Sequence, residues 1–234
     1  MEQQPTPALP RRTTERADLE YRIAAIRPAD LHAAARFLFA AFTSDPTFAD
    51  LYGMTDQQLV GTLPIFQGIC RTLPARLGTT LGCYRGNELV GVLTYCPKLQ
   101  ETLRQQALSH PFLTLLGLTR IAWIQLRYRP RLGRASRARW RAYSALGAAQ
   151  SPKEPSLQIL ALGVARSARG SGVARRLVAA VEADQRWGTG VKHLQVETWH
   201  ATKLPFYERL GFQTVRHGTR DGVECWTLVR PIGT

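Results

Sequence analysis

Apolar and polar residues alternate from Tyr21 to Arg27, the period of a strand with one buried face. Pro28–Asp30 then opens a helix, Leu31–Phe42, whose apolar residues recur at helical spacing. Asp56–Leu73 reads as a second helix, made imperfect by Gly61 and Pro64. Thr79–Arg85 and Leu89–Cys96 return to the strand period and form a hairpin around Gly86-Asn87. The rhythm then breaks. Lys98–Pro155 contains one long helical stretch, Leu103–Tyr128, interrupted near Ser109-His110-Pro111, and ends in the linker Ser151–Pro155. Beyond it the signals sharpen: a strand at Leu157–Val164, a glycine-rich turn, and an amphipathic helix Val173–Arg186 stopped by Gly188. A strand at Val191–Thr198 and a short helix Lys203–Leu210 follow, the helix stopped by Gly211. Phe212–His217 and Val223–Val229 close the chain as a hairpin around Asp221-Gly222. Strands alternating with helices, plus hairpins, predict a mixed-sheet α/β (α+β) domain over residues 21–230, with 98–155 as a helical, basic insertion.

Composition narrows the class. With 234 residues, 44% of them hydrophobic, the chain can bury one sizeable core. Met1–Glu20 is polar and proline-rich and lacks the apolar stretch of a signal peptide, so it reads as a flexible tail. The window Pro111–Leu126 is too short to span a bilayer. Cys70, Cys83, Cys96 and Cys225 are scattered without metal-ligand spacing, which predicts reduced thiols, a cytoplasmic location and no metal site. The formal charge of +14 favours anionic partners. Seven arginines and no acid lie between Arg127 and Arg141, whereas Asp45, Asp50 and Asp56 fall in a stretch without Lys or Arg. The arginine run suits either a solvated face or contact with nucleic acid or an anionic membrane.

The chemistry concentrates in the turn after Leu157–Val164. Gly170 and Gly172 allow positive φ and close backbone approach, and the helix that follows offers unsatisfied N–H groups to an anion. Arg169, Arg175 and Arg176 add charge suited to a pyrophosphate. The P-loop pattern G-x-x-x-x-G-K-[ST] is absent, and a dinucleotide fingerprint counted from Gly170 meets Arg175 where Gly or Ala belongs. A phosphate-binding turn and a bare strand-to-helix turn both remain open on these residues alone.

A second segment accompanies the turn. Arg169-Gly170-Ser171-Gly172-Val173-Ala174 matches [Q/R]-x-x-G-x-[G/A], and Phe206-Tyr207-Glu208-Arg209-Leu210-Gly211-Phe212 matches F-Y-x-x-x-G-F. Together they resemble the GNAT superfamily of acyl-CoA N-acyltransferases. Glu197-Thr198, Leu204-Pro205-Phe206-Tyr207, the long insertion and Trp226 are most similar to its puromycin N-acetyltransferase-like branch. His200 stands where that branch often has Asn, and Ser156-Leu157-Gln158 replaces its aromatic-rich strand entry. The resemblance implies a mainly antiparallel mixed sheet flanked by helices. It implies acetyl-CoA as acyl donor, held by Leu162, Gly163, Val164, Arg169, Gly170, Ser171, Gly172, Val173, Ala174, Arg175 and His200. It further implies Val164 N–H as oxyanion donor, Tyr207 as general acid, and Glu197 as a residue shaping the site. The acceptor would be a primary amine of a small molecule, attacking directly in a ternary complex of a monomer or homodimer. The alternative is a non-catalytic protein of the same fold that binds nucleic acid or membrane through the arginine run.

Overall fold

The computed structural model describes residues 21–44, 63–71, 79–98, 138, 141–142, 145, 154–184, 186 and 190–232. The expected tail, the acidic stretch at Asp45, Asp50 and Asp56, the first turns of the helix expected from Asp56, and almost all of the expected insertion lie outside these residues.

Seven strands form one sheet: β1 (Tyr21–Ala25), β2 (Thr79–Arg85), β3 (Glu88–Lys98), β4 (Ser156–Val164), β5 (His193–Thr198), β6 (Gln213–Arg220) and β7 (Val223–Pro231). Their order is β1-β2-β3-β4-β5-β7-β6, antiparallel throughout except for the parallel pair β4–β5. The described helices of a full turn or more are α1 (Leu31–Thr43), α2 (Leu63–Arg71), α3 (Val173–Glu182) and α4 (Leu204–Arg209). The mixed, mainly antiparallel sheet matches the sequence expectation.

Helices cover both faces. On one face α3 buries Val173, Leu177, Val178 and Val181 against Leu93, Leu157, Ile159, Leu194 and Val196. A Cβ at Gly91 of β3 would lie 2.5 Å from Val173 Cγ1, so the missing side chain lets α3 seat on the sheet. On the other face α1 presents Ala34, Ala35 and, one helical turn on, Leu38 to Val92 and Ala161. Phe66 of α2 packs on Phe42 with ring centroids 5.2 Å apart, and Gln67 reaches His32 at 3.2 Å.

Element ends depart from expectation where tertiary contacts take over. Helix α3 stops at Glu182 rather than Arg186. Asp184 is used elsewhere: it takes the Tyr95 hydroxyl and the Arg186 guanidinium, whose Nη2 also reaches Thr79 Oγ1 at 2.5 Å. Strand β3 runs on to Lys98, two residues beyond the expected end, because it stays paired with β4 to Ser156. Among the described residues no helix is long and apolar enough to cross a membrane.

Candidate active site

The site begins where two strands part. Strands β4 and β5 pair only from Ser156–His193 to Ile159–Val196. Beyond that, β4 continues to Val164 bonded to β3 alone. The pairing with β3 passes from Tyr95–Ile159 to Thr94–Ala161, so Leu160 is a bulged extra residue. The bulge changes which face each side chain takes. Leu157 and Ile159 belong to the α3 core, whereas Ala161 belongs to the α1 core. It also bends β4 at the point where the gap from β5 opens.

Backbone groups along the open edge face a cavity of about 830 Å³. Ala165 N–H donates to Val90 O on the β3 side at 2.9 Å. The alternation of a strand therefore turns the N–H groups of Val164 and Leu162 to the cavity edge, and that of Gly163 to β3. Gly163 serves the site differently: a Cβ there would lie 3.0 Å from Leu38 Cδ2 and 3.2 Å from Ala41 Cβ, so its absence lets α1 approach.

The glycine turn forms one end of the cavity. After β4 a single 3₁₀ turn, Arg166–Ala168, leads to Gly170 and Gly172 at φ +81° and +82°. A Cβ built at either glycine meets no atom within 4 Å, so ligand can come close to the backbone there. The first bond of α3 is Arg176 N–H to Gly172 O at 3.0 Å, which leaves the N–H groups of Val173, Ala174 and Arg175 without an intrahelical acceptor. Arg169 and Arg175 line the cavity beside them. Ser171 instead turns into the loop, its hydroxyl donating to Ala168 O at 2.7 Å. Arg176 also departs from expectation: its guanidinium lies over the Tyr21 ring, 5.5 Å from the centroid, as part of the packing between α3 and β1. Arg166, which carried no expectation, donates to Ser44 O at 3.2 Å and ties the end of α1 to this turn.

Tyr207 stands on α4, across the gap. Its carbonyl accepts the N–H groups of Leu210 at 2.9 Å and Phe212 at 3.0 Å. Gly211, at φ +85°, lets the chain reverse there into β6. Phe206 and Phe212 set edges against the Tyr207 ring, at 5.1 and 5.9 Å between centroids. Burial alone pushes the Tyr207 phenol up to about 12, so its hydroxyl keeps its proton at neutral pH. Arg230 fixes this helix from behind, bonding Leu210 O at 2.5 Å and Glu182 at 2.9 Å.

Glu197 and His200 line the same cavity. Glu197 lies on the face of β5 opposite Leu194 and Val196, and its Oε1 accepts from Lys98 Nζ and Gln195 Nε2, each at 3.0 Å. His200 N–H contacts Thr198 Oγ1 at 3.4 Å, and its ring is set edgewise to Trp199. The fold thus brings every sequence-predicted site residue except Ser171 and Arg176 to the cavity wall. Sequence reasoning missed Lys203, Arg209 and the aromatic wall of Phe42 and Trp199. Arg209 lies inside the quoted helix motif and Lys203 opens the helix expected from sequence, which was the available signal; nothing local marks the aromatic pair.

Comparison with known proteins bears on this arrangement. The family model described as an acetyltransferase (GNAT) domain matches residues 138–214, the segment that carries β4, the glycine turn, β5 and α4. Over that segment the chain is similar to GNAT acetyltransferases. Solved structures share the fold over most of the chain. A protein of Corynebacterium glutamicum, described as histone acetyltransferase HPA2 and related acetyltransferase, is 20% identical with a TM-score of 0.59 over 92% of this chain and 97% of its own. A putative arylalkylamine N-acetyltransferase of the mosquito Aedes aegypti is 18% identical with a TM-score of 0.54, covering 91% and 88%. An agmatine N-acetyltransferase mutant is 16% identical with a TM-score of 0.51, covering 91% and 100%. No curated protein sequence matches the chain significantly.

Proposed function

We propose that this protein transfers an acetyl group from acetyl-CoA to the primary amine of a small molecule by direct attack in a ternary complex. One observation carries the reading: the gap between β4 and β5 joins a glycine turn with free N–H groups at one end to a protonated, half-buried tyrosine at the other, in a single cavity. The backbone of the turn, with Arg169 and Arg175, takes the donor's diphosphate. The edge of β4 takes its pantetheine arm. Val164 N–H donates to the thioester oxygen as negative charge builds there. Tyr207 O–H gives its proton to the departing thiolate, and the Glu197 carboxylate accepts the proton that the amine loses. Burial pushes the thiols of Cys96 and Cys225 up to about 11 and about 12, which favours direct transfer over a cysteine-bound acyl group. The arylalkylamine and agmatine N-acetyltransferases that share the fold are consistent with a small amine as acceptor. In this reading residues 21–230 are one catalytic domain, with 1–20 as a tail and 98–155 as an insertion.

The test is a thermal shift with acetyl-CoA, CoA and ATP, followed by CoA release with tyramine, agmatine, spermidine and an aminonucleoside as acceptors. Stabilisation by both CoA species and not by ATP, with release driven by one of the amines, is the expected result. Equal stabilisation by every polyanion would remove the donor assignment.

A further inference from the structure

The carboxylate of Glu197 is held by a residue that no motif contains. Lys98 closes β3, and its ammonium lies 3.0 Å from Glu197 Oε1. The two side chains are only 18% and 9% exposed, so solvent screens the pair weakly. Gln195 Nε2 donates to the same oxygen at 3.0 Å. The opposite end of that amide is also engaged, since Gln195 Oε1 takes the Ser156 hydroxyl at 3.3 Å, and both residues are buried. An ammonium and an amide N–H₂ therefore converge on one oxygen. Both are donors, so this oxygen is fixed as an acceptor. They approach Oε1 from different strands, β3 and β5, and so fix the rotation of the carboxyl group.

We propose that Lys98 is a positioning residue for acyl transfer: together with Gln195 it fixes the Glu197 carboxylate in the orientation that faces the cavity, as acceptor for the amine proton. The inference rests on the acyl-transfer reading above. The other titratable groups of the described strands around the pair are the Cys225 thiol of β7 and the Cys96 thiol of β3. Desolvation raises both thiols, so both stay neutral and neither supplies the charge that Lys98 brings. Lys98 acts through Glu197 and touches no reacting atom. Its loss should slow proton removal without weakening the donor site, which lies at the other end of the cavity.

Three variants test this in the full-length protein: Lys98→Met, Lys98→Arg and Glu197→Gln. The assay uses acetyl-CoA with whichever of the four amines above is turned over fastest. In Lys98→Met, kcat falls by about tenfold or more, the size expected when a general base is impaired. The KM for acetyl-CoA stays unchanged, and Lys98→Arg restores kcat. Unchanged kcat in Lys98→Met, or full activity in Glu197→Gln, overturns the inference. A readout independent of turnover separates it from the parent reading. Acetyl-CoA stabilises Lys98→Met as much as the unaltered protein, as expected when only the far end of the cavity is altered. A lost ligand-induced shift in Lys98→Met overturns the inference even if every amine is turned over. Absence of acetyl-CoA stabilisation in the unaltered protein would instead remove the acyl-transfer reading.

Discussion

Replacing Gly172 by alanine separates the two demands placed on the glycine turn. The residue sits at φ +82° and ψ 5°, where an L side chain costs about 1–2 kcal/mol of backbone strain. The new Cβ would meet no atom within 4 Å, so no overpacking is added. For a domain of this size that loss lowers Tm by about 2–8 °C. Gly82→Ala is the matched control. Its Cβ would lie 2.9 Å from Tyr84 Cε2 and 3.1 Å from Ile26 Cγ1, remote from the cavity wall, and overpacking of this kind costs about 1–3 kcal/mol. The two variants should therefore lose similar stability for different reasons. Binding distinguishes them. At acetyl-CoA one hundred times its Kd, the unaltered protein should gain about 2.7 kcal/mol. A methyl group standing between the backbone N–H groups and a phosphate should cost about tenfold in affinity, which cuts that gain to about 1.4 kcal/mol. Differential scanning fluorimetry with and without acetyl-CoA reads both quantities. Gly82→Ala should keep the full ligand-induced shift and Gly172→Ala about half of it. An undiminished shift in Gly172→Ala would refute close backbone approach at the turn.

Tyr207→Phe should retain the acetyl-CoA-induced shift in Tm and lose about 100-fold or more in kcat; steady-state CoA release measures it, and unchanged turnover would exclude the hydroxyl as proton donor. Since burial places this phenol at about 12, activity should show no loss from its ionisation anywhere below about pH 10. Asp184→Asn should destabilise the protein by about 1–2 kcal/mol, a figure kept small because Arg186 is 57% exposed. The bonds from Arg186 and Tyr95 depress the Asp184 carboxyl, so its stabilisation is present above the ordinary Asp value and fades as pH falls through the folded-state value. Urea midpoints of the two proteins should accordingly differ most above about pH 5 and converge in acid.

The local elements were legible because their signals are local. The alternation in Tyr21–Ala25 and the hairpin dipeptides set strands whatever the rest of the chain does. The helix ends were less legible. Asp184 and Arg186 have ordinary helical character, yet Tyr95 and Thr79, 89 and 107 residues earlier, draw them out of α3. At the site, Gly170, Gly172 and Tyr207 stood in recognisable patterns, while Arg176 looked equal to Arg175 until its contact with Tyr21 directed it away from the cavity.

By itself the sequence determined the order of strands and helices, the glycine turn with its arginines, and the short tyrosine-bearing helix that Gly211 ends. Each depends on residue type and spacing within a few positions, where backbone preference and periodicity act directly. Tertiary structure alone decided the bulge at Leu160, the parting of β4 from β5, the desolvation that raises the Tyr207 phenol, and the pairing of Lys98 with Glu197 across 99 residues of chain. These depend on which strand lies beside which and on how much water is excluded between them, and neither is a property of any one segment.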